Sequence, residues 1–355
     1  MSMAKAAITT KVGSMLAWQA TAYGAPGRAL DLCAIPIPEP GPGELRVRVE
    51  AASLNPIDYK LLRGDLKAVI PLAFPVTLGF DACGLVDSVG AGCEGFREGD
   101  RVFLRASRDT LGAFAQYTVQ PAAFVARAPV GSSAVAAASL PLVALTTVQG
   151  LVDRAQARVG QRVLIQAGSG GLGTFAIQYA RRLGLIVETT CSARNAEMVK
   201  ALGADRVLVR EREDYRTRGA VYDIVFDSLG GKDTLDAFSV LKPGGCVVSV
   251  AGPPDEEMVA RFARNVLTRL VMRWMGRKVR RAAHRKSARY FRYLTESNGA
   301  QLQDIAALVE SGVIKPIVDR VFAFDQAVPA FEYLMTGHAR GKIVIDVEGR
   351  EGTPE

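Results

Sequence analysis

The sequence predicts an α/β fold: a doubly wound parallel sheet joined to a smaller, mostly antiparallel β-barrel. Three observations carry that prediction. The stretch 162–183 reads RVLIQAGSGGLGTFAIQYARRL. It runs from an apolar strand pattern (Val163, Leu164, Ile165) through Gly168, Gly170, Gly171 and Gly173 into the helical spacing of Phe175, Ile177, Ala180 and Leu183. Strand and helix patterns then alternate, with strands expected over 162–167, 185–190, 206–209, 222–227 and 246–250. That order implies right-handed crossovers and a parallel sheet. Before residue 140 the texture differs: short β-type runs at 44–51, 84–89, 100–103 and 114–119 are separated by turn signals such as PGPG and EGD.

The strand, glycine turn and helix at 162–183 form the phosphate corner of a dinucleotide-binding unit, the Rossmann type. Glycines let backbone approach a pyrophosphate, and the helix start offers free N–H groups and a partial positive charge. Ser169, Gly170, Gly171 and Leu172 are the expected contacts. The plainer alternative is a glycine hinge in an ordinary crossover, but the strand–helix units on either side favour the phosphate corner.

The next strand indicates which dinucleotide. A unit built for NAD usually ends this strand in an acid that binds the ribose 2′-hydroxyl. Here it runs into Cys191, Ser192, Ala193 and Arg194, and Glu188 lies earlier, inside the strand. A hydroxyl and a guanidinium suit a 2′-phosphate. Ser192 and Arg194 therefore favour NADPH over NADH, and Arg210, after the following strand, is placed to reach the same phosphate. Arg194 can also be read as a solvated arginine at a helix start.

At 355 residues the chain has room for two domains of ordinary size. Its 49% hydrophobic and 23% charged content suits a soluble globular protein. No apolar run has the length of a membrane span. The first fourteen residues carry no signal-peptide core and read as a loose tail, so a cytoplasmic location is expected. Five scattered cysteines with no CxxC pair read as buried or half-buried thiols. The first domain is expected to span 15–140 and to be rejoined by 313–350. The cofactor domain is expected over 141–312, including a basic insertion at 255–287, a sixth strand at 288–294 and a helix at 301–311.

Eight segments occur in the order of a known family: SLNPIDYKLLRG (53–64), FPVTLGFDACGLVDSVG (74–90), GDRVF (99–103), GAFAQY (112–117), LPLVALTTVQGL (140–151), QAGSGGLG (166–173), LKPGG (241–245) and GHARGKIVI (337–345). Over residues 15–347 the chain resembles the zinc-independent medium-chain dehydrogenases/reductases of the quinone oxidoreductase and enone reductase branch. Within it, the chain resembles in particular the chloroplast and mitochondrial quinone-oxidoreductase homologues. The resemblance implies a Rossmann-type sheet with a GroES-like barrel as the catalytic domain.

Zinc-using relatives place a Cys near the position of Asn55, a His-Glu pair at Phe80-Asp81, and a separate four-cysteine lobe. This chain has neither the Cys nor the His, and its two histidines, His284 and His338, lie near no such motif. Tetrahedral zinc needs three or four suitably spaced ligands. The implied reaction is therefore metal-free: hydride passes from NADPH to the β-carbon of an α,β-unsaturated carbonyl, or to a quinone, and the carbonyl takes up the charge. A donor aimed at that oxygen contributes roughly 3 kcal/mol in a dry site.

The resemblance places candidate catalytic residues in NPIDYK. Asn55 donates to the carbonyl oxygen or holds the nicotinamide. Tyr59 walls the pocket or relays a proton. Lys60 supplies a positive donor to the enolate, and Asp58 ties down the loop. Asn-Pro is also a common turn signal, and Tyr59 can serve packing alone. Thr146 matches the family's nicotinamide-contacting threonine, with Thr147 one residue off. Gly252-Pro253 is expected beside the nicotinamide. Arg340 and Lys342 flank the glycine where the family closes its cleft, with Lys342 as an expected cofactor contact, or are solvated charges before an edge strand.

Between residues 258 and 295 there are twelve Lys/Arg and no Asp or Glu, against a net charge of +8 for the whole chain. The basicity is thus local, and no nucleic-acid partner is expected. Phe262, Val266, Leu270, Val271, Trp274 and Met275 recur at near-helical spacing among the arginines. A helix of this kind lies on an anionic membrane surface through 258–285, or packs its apolar stripe over the cleft. The partner expected is a small hydrophobic enone or quinone, with a homodimer formed through the edge strand at 288–294 as in the family. Alternatives are a dedicated biosynthetic enoyl reductase, and an NADPH-binding scaffold or nucleic-acid- or membrane-binding protein with little catalysis.

Overall fold

The computed structural model describes residues 13–349, which fall into two compact units. The loose tail expected at the N-terminus lies largely outside the described residues.

One unit comprises the described residues up to Leu142, Ser297–Glu310, and the described residues from Val318 onward. Its main sheet orders Val318–Ala323, Lys342–Asp346, Glu44–Leu54, Asp81–Val89, Arg101–Arg105 and Val125–Arg127, and Tyr117–Pro121 also pairs with Glu44–Leu54. All pairings are antiparallel except the first. The strand Glu44–Leu54 explains its own position. Its ELRVRV half alternates buried and half-buried residues, while AASL is buried on both faces. Register matters for the chemistry: Leu54 faces Ile343 and Ser53 faces Asp81, so Asn55, Asp81 and Lys342 converge from three strand ends.

The other unit comprises Val143–Glu296 and Ser311–Ile317. Its six parallel strands run Arg206–Val209, Ile186–Cys191, Arg162–Ile165, Tyr222–Asp227, Leu241–Ser249 and Arg289–Arg292. The first strand in sequence lies inside the sheet, beside the fourth. The order reverses there, which is the switch point where such sheets bind ligands at their carboxyl ends. Val163, Ile165, Ile177, Val187, Phe226 and Val248 share one buried cluster against it.

Several boundaries differ from the sequence expectation. The strand expected at 246–250 begins at Leu241, because Lys242 to Gly245 loop out between the Tyr222–Leu241 and Ile224–Cys246 pairings. The first division falls at Leu142. The helix Gly299–Glu310, expected in the cofactor domain, groups with the barrel unit instead. Its glycine end lies flat against the strand Val125–Arg127, where a Cβ on Gly299 would come within 2.4 Å of the Val125 carbonyl. Gln303 accepts the Arg127 N–H at 3.2 Å, and Glu310 accepts that of Val130 at 2.8 Å. Periodicity marks a helix's buried face but not the sheet that face meets.

The basic insertion forms two helices, Glu256–Phe262 and Val266–Arg285. Asn265 caps the second, accepting the Thr268 N–H at 2.8 Å. All five cysteines are free thiols. Among the described residues no helix is long and apolar enough to cross a membrane.

Candidate active site

The glycine corner is built by exclusion of side chains. Ala167, between the strand and Gly168, adopts a left-handed φ of 54°. A Cβ on Gly168 would stand 2.0 Å from Thr189 Oγ1, and one on Gly173 would stand 2.5 Å from both the Ala167 carbonyl and Gly168 Cα. Gly170 differs: only the Ala167 carbonyl, at 3.6 Å, lies near its missing Cβ. The helix Gly171–Arg182 begins there with no side-chain cap, whereas Asp255 and Asn265 cap their own helices. A helix start left open beside a glycine turn suits an anion.

The other cofactor candidates of this unit gather along the carboxyl edge of the sheet. Ser169 follows the first strand and accepts a 2.9 Å hydrogen bond from Asn195 Nδ2. Asn195, buried after the second strand, was not among the sequence candidates; its place in SARN, three residues past Ser192, was the available signal. Leu172, at the helix start, packs against the same buried cluster as Val163 and Ile165. Ser192, half-buried, opens the turn after Cys191, and Arg194 and Arg210 are exposed beyond their strands. Gly252 follows the fifth strand. Its N–H donates to Ser249 Oγ at 2.7 Å and its carbonyl accepts Arg292 Nε at 3.0 Å. Tyr290 donates to the Pro253 carbonyl at 2.6 Å, so the sixth strand also holds this turn.

Of the two adjacent threonines, Thr147 is wholly buried and donates back to the Val143 carbonyl at 2.8 Å within its own helix. Thr146 Oγ1 pairs with Thr295 Oγ1 at 2.7 Å, and its carbonyl accepts the Tyr293 hydroxyl at 2.6 Å. The sequence therefore brings Ser169, Gly170, Gly171, Ser192 and Gly252 to one edge, with Thr146 tied to the end of the last strand.

In the barrel unit, NPIDYK opens the helix Pro56–Arg63. Asn55 precedes it, and the Asp58 carboxylate accepts the Asn55 N–H at 2.7 Å. Tyr59 and Lys60 are half-buried on the same helix, with the Arg63 guanidinium 5.5 Å from the centre of the Tyr59 ring. Asn55 is 1% exposed, and both ends of its carboxamide are engaged. Nδ2 donates to Asp81 at 2.8 Å and Oδ1 accepts Lys342 Nζ at 2.5 Å. Asn55 thus serves as a keystone of its own unit, and the donor role expected toward a carbonyl oxygen is not what this geometry offers.

Lys342 is likewise interior. Its ammonium donates to the Leu54 carbonyl at 2.9 Å and reaches Asp81 at 3.3 Å. The Asp81 carboxylate also accepts Ser53 Oγ at 3.0 Å and the Leu142 N–H at 2.9 Å. Burial pulls the Lys342 ammonium below its ordinary value, against the opposing pull of Asp81 and Asp58. Burial pushes the Asp58 carboxyl up to about 8, and its Oδ1 has no hydrogen-bond partner. The positions where zinc-using relatives carry ligands hold a carboxamide, a buried phenyl ring (Phe80) and a carboxylate already paired with an ammonium. That donor set does not fit a tetrahedral zinc. Among the described residues no group of three or more His, Cys, Asp or Glu could hold a metal ion.

A sheet of this order, with an uncapped glycine corner at its switch point, defines a dinucleotide-binding protein. Residues 41–130 match the family model of the alcohol dehydrogenase GroES-like domain, and residues 202–345 that of the zinc-binding dehydrogenase. A quinone-oxidoreductase homologue of Spinacia oleracea chloroplasts is 33% identical over 94% of this chain and 98% of its own length. An NADPH-dependent alkenal/one oxidoreductase of Arabidopsis thaliana chloroplasts is 32% identical over 93% of this chain and 79% of its own. The quinone oxidoreductase structure from Coxiella burnetii superimposes with a TM-score of 0.82 at 32% identity, covering 94% of this chain and all of that one. The chain belongs to the medium-chain dehydrogenase/reductase family, in its quinone oxidoreductase branch, and is an oxidoreductase.

Proposed function

We propose that this chain is an NADPH-dependent reductase that delivers hydride to the conjugated C=C of an α,β-unsaturated carbonyl, or to a quinone, without zinc. The observation that carries the reading is the glycine corner: Gly168 and Gly173 exclude a side chain, while Gly170 and the uncapped helix start remain open to a pyrophosphate. NADPH, when bound, supplies the hydride. The protein's part is to hold the pyrophosphate at Ser169, Gly170, Gly171 and Leu172, and the 2′-phosphate at Ser192, Arg194 and Arg210. Thr146 and the fixed Gly252 turn orient the nicotinamide. Tyr59 and Lys60 are the proposed donors toward the substrate oxygen, and Asn55 and Lys342 hold the segment that carries them. Relatives named as quinone and alkenal/one oxidoreductases support this substrate class, and the Lys342–Asp81 pair supports the zinc-free chemistry. The test is NADPH oxidation with a quinone and with an enone, set beside NADP reduction with a saturated alcohol. Turnover with the first two alone is expected. Turnover with none would favour an NADPH-binding scaffold, and stoichiometric tightly held zinc would remove the metal-free mechanism.

A second, compatible reading concerns location. On the helix Val266–Arg285, Val266, Leu267, Leu270, Val271, Trp274 and Met275 form one stripe, each 49–73% exposed. Arg269, Arg273, Arg277, Lys278, Arg280 and Arg281 share the helix. An apolar stripe with cationic flanks matches an anionic lipid surface. We read the protein as a cytoplasmic homodimer, paired through the edge strand Arg289–Arg292, that associates peripherally with membranes. Sedimentation with anionic vesicles tests the last point: Leu270→Glu/Trp274→Glu is expected to abolish binding while leaving NADPH affinity intact. Intact protein that stays in the supernatant would remove the membrane reading.

A further inference from the structure

We infer that Glu211 sets how strongly this chain discriminates between NADPH and NADH. The inference rests on the placement of the cofactor just proposed. The strand Ile186–Cys191 ends without the acid that reads a ribose 2′-hydroxyl in NAD-specific units. The structure supplies one from the neighbouring strand. Cys191 lies opposite Val209 at the paired ends of the two strands. Just beyond, the chain turns back, with the Arg212 and Glu213 N–H groups donating to the Val209 carbonyl at 2.9 and 2.8 Å. That turn brings the Glu211 carboxylate onto the Ala193 N–H at 3.1 Å. Ala193 stands between Ser192 and Arg194, so the carboxylate sits at the tip where the 2′ substituent is read.

Positive charge meets it there. The Arg210 N–H donates to the Cys191 carbonyl at 3.0 Å, placing Arg210 and Glu211 at the same tip. Burial pushes the neighbouring Cys191 thiol up; Arg210 opposes that rise and Glu211 adds to it, so both charges bear on this point. A carboxylate accepts a hydrogen bond from a 2′-hydroxyl and repels a 2′-phosphate of nearly two negative charges. Glu211 therefore favours NADH, against Arg194 and Arg210, which favour NADPH. The preference for NADPH is accordingly moderate, and it is adjustable at one exposed residue.

The experiment titrates the full chain, as wild type, Glu211→Gln and Glu211→Lys, with NADPH and with NADH by calorimetry. In Glu211→Gln the ratio of the NADH to the NADPH dissociation constant is expected to rise about tenfold, as expected for removing one charge beside a near-dianion in water. It rises further in Glu211→Lys. Fragments of the adenosine half with and without the 2′-phosphate are expected to show the same shift, which localises it to that group. A ratio unchanged in both variants overturns the role of Glu211 while leaving NADPH binding in place. Wild-type protein that binds neither nucleotide overturns the cofactor reading and this inference together.

Discussion

The ammonium of Lys342 lies 3.3 Å from the Asp81 carboxylate, with 5% of one side chain and none of the other in contact with water. Two further acceptors, the Leu54 carbonyl and Asn55 Oδ1, complete the Lys342 coordination. Lys342→Met removes the charge at similar length and leaves Asp81 buried without its cation. Breaking a buried pair from one side costs about 3–5 kcal/mol. Urea unfolding should register a loss of that order, and Lys342→Met/Asp81→Asn should recover part of it. A single variant as stable as wild type would mean that the pair contributes nothing.

Asp58 gives a signature in pH. Its carboxyl is pushed by burial up to about 8 in the fold, against 3.8 ordinarily. Between those values the folded state holds a proton that the unfolded chain has released. The group's contribution to stability is therefore full below about pH 4, drains as pH rises, and levels off above about pH 8. Asp58→Asn removes the titration. The variant's unfolding free energy, measured at steps of pH, should gain on wild type across that window; parallel curves would contradict the burial argument.

The glycines of the corner should separate fold from function. Gly168→Ala drives a methyl into Thr189 and should destabilise by about 1–3 kcal/mol. Gly170→Ala meets only the Ala167 carbonyl at 3.6 Å, and its backbone φ of −78° suits any residue. It should leave the melting temperature nearly unchanged while weakening NADPH binding, because the added methyl occupies the open side. Calorimetric titration beside thermal unfolding distinguishes the two.

Lys60 is half-buried on the helix whose start Asn55 and Asp58 fix. If it steadies the developing oxyanion, Lys60→Met should lower kcat for an enone by roughly a hundredfold, the loss typical of one removed donor, with little change in NADPH affinity. Steady-state kinetics with the enone varied would reveal this; an unaltered kcat would return Lys60 to the surface.

Local pattern made most of the fold legible. The strand at 222–227 falls where its apolar run lies, since a strand buried on both faces needs such a run. The capping pair Asn55 and Asp58 is three residues apart and readable by eye. What stayed hidden is the pairing of distant elements. Lys342 sits 287 residues from Asn55 and meets it only because Ile343 registers against Leu54. The helix Gly299–Glu310 was recognisable, but its host sheet was not. Glu211 shows the same limit: an NAD-type acid is expected at the tip of the strand Ile186–Cys191, and a carboxylate reaches that tip from the next strand instead.

The uncovered face of Val266, Leu267, Leu270, Val271, Trp274 and Met275 also bears on handling. At low ionic strength the arginines around it keep copies of the molecule apart by repulsion. Added sulfate screens that repulsion and strengthens apolar association at once. Concentrated stocks should cloud as sulfate rises and clear with mild detergent, the reverse of the salting-in usual for a cationic protein.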